Sequence, residues 1–439
     1  MKITRDSLFG FMIACSAISG IHSVLPLGEL SYEAYTLPLL LFIVFGIAIN
    51  KWYVKNVIAV FVFTVVCVLI ISFLLNAGHI SGHSFKGKSG VGKFVGQFVL
   101  VVIFLFYSGI LFHTYKGRSV YLIGLIKKYS VYMFYIVFLY SAVEFISIFS
   151  ASANKIIVGI DNIIRDPTFS YYNTRLRGLQ YESPAFGAYL GIMCIVFLDN
   201  AILEKRKIFF IYYGIAILLS ILSGSRTGII ICFLLSFFYM FSLTKAKIVS
   251  KKYIIYSFCL IIVLFVSSTT LREKLQSVIN WTEYSGYHAA SNFVRFGSQL
   301  AALNMAIDNP LTGIGFGQYG FLVKDYYPSY IREIHTIKMY SNNAAPNWPP
   351  AYSFVTRMLA EFGLVISFAF FVLAGRHFLK IYRKITTDKD SHKYVFLLNL
   401  FFYSFLIFLQ FDSIRNIHFW NFLSLYFIAS YEDRHLNIS

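Results

Sequence analysis

The chain has 439 residues, of which 58% are hydrophobic and only 13% are charged. A soluble chain usually carries about 25% charged residues, so this composition excludes an ordinary soluble protein and indicates an integral membrane protein. The formal net charge of +18 does not imply nucleic acid as a partner. The excess lysines and arginines lie in short loops between apolar segments, where membrane insertion favours them.

Apolar runs recur along the chain at about 20 residues, the length that an α-helix needs to cross a hydrocarbon core of about 30 Å. They predict an all-α polytopic membrane protein with about twelve transmembrane helices. The first segment has a basic start but no small-residue cleavage site, which predicts a retained span rather than a signal peptide. The predicted spans are residues 7–25, 36–50, 56–75, 94–114, 129–149, 184–199, 208–224, 227–244, 253–269, 351–375, 394–411 and 417–431.

The distribution of lysine and arginine predicts the orientation of these spans. With the N-terminus in the cytoplasm, five loops on that side are basic, so we expect both termini to be cytoplasmic. The chain then divides into N-terminal helices (1–150), central helices with a first outer segment (151–269), a large outer loop (270–350) and C-terminal helices (351–439). The five cysteines all lie inside apolar runs without metal-type spacing, and we expect no metal site.

The two outer segments 151–183 and 270–350 are unusually long, and loops of this length commonly carry function. The second is expected to be partly helical, because "NFVRFGSQLAALNMAIDNP" has apolar residues at helical spacing. The spans are nearly free of ionisable residues, whereas transporters usually carry them at mid-membrane depth. The pattern therefore favours chemistry at the outer surface over transport.

Cationic side chains gather in the outer segments. Arg175, Arg177 and Glu182 directly precede a predicted helix, Arg226 lies in the tight connection "SGSRTGI", and Arg295 lies in "NFVRFGS". Arginine suits phosphate because its planar fork binds two oxygens at once, so these residues are candidates to converge on a diphosphate. Taken singly, a juxtamembrane arginine is more often an anchor for lipid phosphates.

Other outer residues have two interpretations each. Tyr181, Trp348 and Tyr352 offer flat faces for stacking on sugar rings, but tyrosine and tryptophan also form interfacial belts. His335 is a candidate base, although a lone loop histidine is more often structural or solvated. The glycine-rich "GIGFGQYG" lacks the strand and helix of a phosphate-binding loop, which favours a role in packing. Further aromatic residues in the outer segments are Tyr171, Tyr172, Trp281, Tyr284, Tyr287, Tyr326 and Tyr327.

Four motifs together resemble the O-antigen polymerase and O-antigen ligase superfamily of bacterial inner-membrane glycosyltransferases. They are R-x-x-G-x-x-x-E from Arg175 to Glu182, S-R-T-G at 225–228, N-P-L-x-G-x-G-x-G at 309–317 and L-A-E-x-G at 359–363. The resemblance covers roughly residues 165–375. It implies a GT-C-like fold in the inner membrane with a periplasmic active site.

The resemblance implies transfer of a glycan from an undecaprenyl diphosphate carrier to an acceptor hydroxyl, without a nucleotide sugar, metal or other cofactor. Polymerases of the superfamily extend another lipid-linked repeat unit, and ligases load lipid A–core. Ligases typically carry a His-Asn pair shortly before the L-x-E-x-G helix, whereas Tyr352 and Ser353 fall near that place here. This departure favours the polymerase, with the ligase as the alternative and a lipid-linked oligosaccharide flippase as the rival outside the enzyme class.

The implied partners are the lipid-linked glycan, membrane lipid, and a chain-length regulator and flippase of the same pathway. The predicted mechanism assigns Arg175, Arg226 and Arg295 to the diphosphate, with Arg177 in reserve. Preorganised cations of this kind stabilise the negative charge that develops on the leaving group. Glu182 is the first candidate for the general base, or alternatively orients an arginine through an ion pair, and His335 is the second candidate.

Overall fold

The computed structural model describes residues 4–23, 25, 27–49, 56–167, 175–250, 252, 289–345, 347–387 and 391–436. The predicted span 253–269 and the aromatic residues Tyr171, Tyr172, Trp281, Tyr284 and Tyr287 lie outside these residues. The helices are α1 (Arg5–Cys15), α2 (Thr36–Ile49), α3 (Asn56–Leu75), α4 (Ala77–Gly82), α5 (Gly90–Tyr115), α6 (Ser119–Ser147), α7 (Ala151–Ile164), α8 (Ser183–Ile202), α9 (Ile208–Leu222), α10 (Arg226–Lys245), α11 (Ala289–Asp308), α12 (Tyr319–Tyr326), α13 (His335–Ser341), α14 (Phe354–Thr387), α15 (Ser391–Gln410) and α16 (Ile417–Leu436).

Short elements complete the described chain. Two 3₁₀ helices cover Gly28–Tyr32 and Ser329–Ile331. The strands β1 (Ser84–Phe85) and β2 (Lys88–Ser89) form a two-stranded antiparallel hairpin. Its two turn residues, Lys86 and Gly87, both have positive φ, which matches the twist of tight hairpin turns.

The predicted all-α membrane architecture is confirmed in its main feature. Among the described helices, seven are long and apolar enough to cross a membrane, namely α3, α5, α6, α8, α10, α14 and α15. The helices α2 and α9 are apolar but shorter. The total of twelve spans and the likeness to GT-C enzymes stay predictions.

The first predicted span, 7–25, is wrong in its extent. The helix α1 ends at Cys15, and 11 residues rise only about 16 Å at 1.5 Å each. The chain then folds back, because Gly20 adopts a φ of 74° and its N–H donates to the carbonyl oxygen of Tyr32 at 2.8 Å. The serines and the glycine of "SAISG" at 16–20 suit such a turn better than the interior of a span.

The helix α8 forms the centre of the bundle. It is buried along nearly its whole length and packs against α6, α9, α10 and α15. By contrast, α3 exposes most of its apolar side chains, as expected of a helix that faces lipid. A smaller second core holds α11 and α12 together with residues up to Ala360, so the described part of the long outer loop is folded rather than extended.

The helix α14 breaks at Gly363, which has φ 77° and ψ 174°. The backbone groups released by the break bond to the glycine-rich segment before α12: Leu364 N–H donates to the carbonyl oxygen of Pro310 at 2.7 Å, and Ile314 N–H donates to that of Ala360 at 3.0 Å. Buried backbone groups require such partners. The motifs at 309–317 and 359–363 therefore form one structural joint.

Candidate functional site

A close crossing of α8 and α10 brings two of the predicted motifs together. A Cβ atom at Gly187 would lie 2.3 Å from the Cα of Gly228, so only glycine permits this approach. Glu182 lies immediately before α8, and Arg226 is the first residue of α10. The glycine pair thus holds the starts of both helices, and the charged residues on them, at the same end of the bundle.

Three predicted arginines gather at this end. Arg226 has Arg295 and Arg175 as its charged neighbours. Its Nη2 donates to Oδ1 of Asn292 on α11 at 2.9 Å, and the side chain of Arg175 lies against Gly224, just before α10. Like charges repel, so a cluster of three guanidinium groups at the start of a helix favours an anionic ligand. We call Arg175, Arg226 and Arg295 the arginine cluster.

Glu182 lies beside this cluster. Its charged neighbours are Arg295 and Arg415, and the Tyr181 hydroxyl donates to its carboxylate. Burial raises the pKa of Glu182 above its ordinary value, although Arg295, Tyr181 and Arg415 draw it back down. Raised pKa values of this kind are typical of general bases, but the ion pairing equally serves to orient Arg295.

Tyr352 forms part of the wall beside Arg295. The guanidinium carbon of Arg295 lies 5.1 Å from the centre of the Tyr352 ring, within the range of a cation–π contact. The Tyr352 hydroxyl is 2.7 Å from that of Tyr340. Tyr352 also has a φ of 57°, an uncommon conformation for a bulky residue, so packing holds it against Arg295 despite backbone strain.

Arg177 has a different environment from Arg175. It is 5% exposed, and its guanidinium pairs with Asp161 on α7. Its backbone N–H and that of Gly178 donate to the buried carboxylate of Glu144, at 3.2 Å and 2.9 Å. Arg177 therefore lies outside the arginine cluster, and its contacts with Asp161 and Glu144 stabilise the segment 175–182.

His335 and Trp348 also lie apart from the arginine contacts. His335 is exposed at the first residue of α13. The Trp348 ring packs against Phe321, with ring centres 5.0 Å apart, and the Nζ atoms of Lys88 and Lys93 lie about 5 Å from its centre. Trp348 lines a separate cavity of about 180 Å³.

A second charged group was missed by sequence reasoning. Arg415 pairs with Glu33 at 3.4 Å, and its Nη1 donates to the carbonyl oxygen of Glu29 at 3.0 Å. The Glu29 carboxylate accepts from Ser413 at 2.9 Å and pairs with Lys93 at 3.4 Å. Burial would raise the pKa of Glu29, but the charges of Lys93 and Arg415 hold it at about 2. The available signal was an arginine in the very short connection between the last two predicted spans.

The glycine-rich segment packs closely against α14 at Gly313. A Cβ at Gly313 would lie 2.4 Å from the backbone carbon of Glu361, and the Glu361 carboxylate pairs with Arg357 at 2.9 Å. This agrees with the packing interpretation of the segment. Among the described residues, no group of three or more His, Cys, Asp or Glu side chains is placed to hold a metal ion.

Comparison with known families gives one match. Residues 211–371 match the family described as O-antigen ligase, which supports the predicted resemblance to the O-antigen polymerase and ligase superfamily. The matched segment contains the motifs at 225–228, 309–317 and 359–363, whereas the motif at 175–182 precedes it. No curated protein gives a significant match.

The family match supports a function of the O-antigen ligase or polymerase type, and the family's members are glycosyltransferase-like enzymes. The family implies lipid-linked glycan substrates in the membrane. Together with seven apolar helices of spanning length among the described residues, the match indicates a multi-pass membrane protein. It gives no support to a flippase.

Proposed function

We propose that this protein is a polymerase of lipid-linked oligosaccharide repeat units in the bacterial inner membrane. It transfers a glycan from undecaprenyl diphosphate to a hydroxyl of an acceptor sugar at the periplasmic face, with both termini in the cytoplasm. The observation that carries the proposal is the arginine cluster: three cations from separate parts of the chain beside one carboxylate, Glu182.

The arginine cluster suits the diphosphate of the carrier. When the bond between the anomeric carbon and the phosphate oxygen breaks, negative charge grows on the leaving diphosphate. Guanidinium groups already in place stabilise that charge without reorganisation, and the loss of one such contact typically costs about 10²–10³-fold in rate. Neutralisation by the ligand also removes the repulsion among Arg175, Arg226 and Arg295.

Glu182 is the proposed general base. It accepts the proton of the acceptor hydroxyl while the hydroxyl oxygen attacks the anomeric carbon, and the polyprenyl diphosphate departs. Its neighbours Arg295 and Arg415 lower its pKa against the effect of burial, and so favour the carboxylate form that a base requires. His335, exposed at the start of α13, is the weaker candidate for this step.

The ligase is the second candidate function, because the matched family is described as O-antigen ligase. Tyr352 lies near the place where the ligase histidine would fall. Its hydroxyl contacts Tyr340, and its ring contacts Arg295. A tyrosine in this environment is a poor base, which supports the polymerase. Offering purified protein either lipid-linked repeat units or lipid A–core as acceptor separates the two functions by product.

The decisive test uses purified protein with lipid-linked repeat units isolated from the source cells. We expect Arg226→Ala to reduce polymer formation about 10²–10³-fold and Arg226→Lys to restore part of it, since lysine keeps the charge but loses the fork. Arg206→Ala is the matched control, because the Arg206 side chain is 62% exposed and 3.9 Å from Glu204 at the opposite end of α8. Full polymer yield from folded Arg226→Ala protein would refute the diphosphate assignment.

A further inference from the structure

A second cavity, of about 150 Å³, opens beside the arginine cluster between the starts of α8 and α16. It has about five times the ~30 Å³ share of one liquid water molecule. Its wall includes Tyr181, the neighbour of Glu182, and Arg415, one of the two cations that face Glu182. We call it the Tyr189 cavity, after one of the residues of α8 that line it.

Three residues of this wall carry buried polar atoms that lack a hydrogen-bond partner among the described residues. They are the Tyr189 hydroxyl, Nδ1 of His418 and Nδ2 of Asn416. Tyr189 and His418 are each only 6% exposed. A buried polar group without a partner is destabilising, and a bound ligand or ordered water is one explanation for such a group.

The chemistry of the wall selects the class of ligand. Glu33 and Asp412 contribute carboxylates, Arg415 and Asn416 contribute donors, and tyrosine rings contribute apolar faces. Two carboxylates disfavour a second phosphate. A sugar ring fits this mixture, because each hydroxyl both donates and accepts while the ring faces stack on aromatic side chains.

We propose that the Tyr189 cavity is the subsite for the acceptor sugar, an inference that rests on the proposed transferase function. The arginine cluster holds the diphosphate of the donor, and the mixed cavity holds the sugar of the acceptor that carries the attacking hydroxyl. Glu182 has a charged neighbour in each part of the site: Arg295 belongs to the arginine cluster, and Arg415 belongs to the cavity wall.

The test measures donor and acceptor separately. The acceptor probe is the repeat-unit oligosaccharide released from its carrier by mild acid, which has no diphosphate and cannot donate. Tyr189→Phe removes one unpartnered hydroxyl, so it should not destabilise the free protein. We expect it to raise the acceptor KM roughly 2- to 10-fold, the equivalent of one lost hydrogen bond, without changing kcat or the donor KM.

Two further variants test whether the effect depends on the cavity. Ala185→Leu places a larger side chain in the wall of the cavity and should abolish transfer to the released oligosaccharide while the donor still binds. Tyr327→Phe is the matched control, because Tyr327 is a buried tyrosine outside the cavity wall, and its acceptor KM should match the wild type.

The outcomes distinguish the two proposals. If the wild type transfers glycan but Tyr189→Phe and Ala185→Leu both keep the wild-type acceptor KM, the cavity holds only water and the acceptor assignment is overturned, while the donor site stands. If the wild-type protein makes no product from lipid-linked units, the transferase function itself fails. A selective rise in acceptor KM supports both proposals.

Discussion

The glycine pair at the crossing of α8 and α10 makes a sharp test of how the site is built. A Cβ at position 187 would lie 2.3 Å from the Cα of Gly228, whereas ordinary contact needs at least 3.4 Å. Because the obstacle is backbone, no side-chain rotation relieves it, and Gly187→Ala must push the helices apart by about 1.1 Å. Overpacking of this kind costs about 1–3 kcal/mol of folding free energy.

The effect on activity should exceed the effect on stability. Glu182 and Arg226 lie at the starts of the two displaced helices, and a misplacement of about 1 Å in a catalytic arrangement can cost about 10²-fold in rate. We therefore expect Gly187→Ala to remain folded but to lose about 10²-fold in polymer formation, measured with purified protein and lipid-linked repeat units.

Gly214→Ala in α9 is the matched control, since nothing lies within 4 Å of a Cβ added there. It should keep full activity and gain slightly in stability, because alanine favours a helix over glycine by about 1 kcal/mol. Near-wild-type activity in Gly187→Ala would show that the α8–α10 crossing does not position the site.

Three more predictions address separate parts of the structure. Asp161→Asn removes the carboxylate that pairs with the buried guanidinium groups of Arg177 and Arg165, and should lower the free energy of unfolding by about 3–5 kcal/mol in a denaturant titration; an unchanged midpoint would refute the structural role of this pairing. If Glu182 is the base, it must be deprotonated, so its raised pKa places the acidic limb of the pH–rate profile above pH 4.5. Glu182→Gln should remove that limb. If the limb persists in this variant, the titrating group is not Glu182. Gly363→Ala places a Cβ at positive φ, 2.7 Å from the carbonyl oxygen of Pro310, and should lower the thermal midpoint; an unchanged midpoint would show that the joint tolerates a side chain.

Much of the fold followed from local properties of the chain. Apolar runs of spanning length predicted α3, α5, α8, α10 and α15, because hydrophobic length is a property of one contiguous segment. The same reasoning failed at residues 16–23, where a Ser-Gly pair at 19–20 interrupts the apolar residues and the chain reverses. The hydrogen bond between Gly20 and Tyr32 stabilises that reversal, and its partner lies 12 residues further along the chain.

The candidate site was only partly accessible from sequence. The sequence predicted the types of residue in the site, namely arginines and a carboxylate outside apolar helices, with glycines between them. It did not predict which residues contact each other. Arg175 and Arg177 are two positions apart with similar neighbours, yet the first joins Arg226 while the second pairs with Asp161.

Arg415 shows the same limit over a longer distance. Its ion-pair partner Glu33 is nearly the whole chain away, and the two meet only because α2 and α16 both start at one end of the bundle. The sequence by itself determined that the protein is a bundle of apolar helices with its cationic chemistry outside them, since composition and motif order are local. Tertiary structure alone decided which cations share a cluster and which serve packing, because the energy of a charge depends on the groups that long-range folding brings against it.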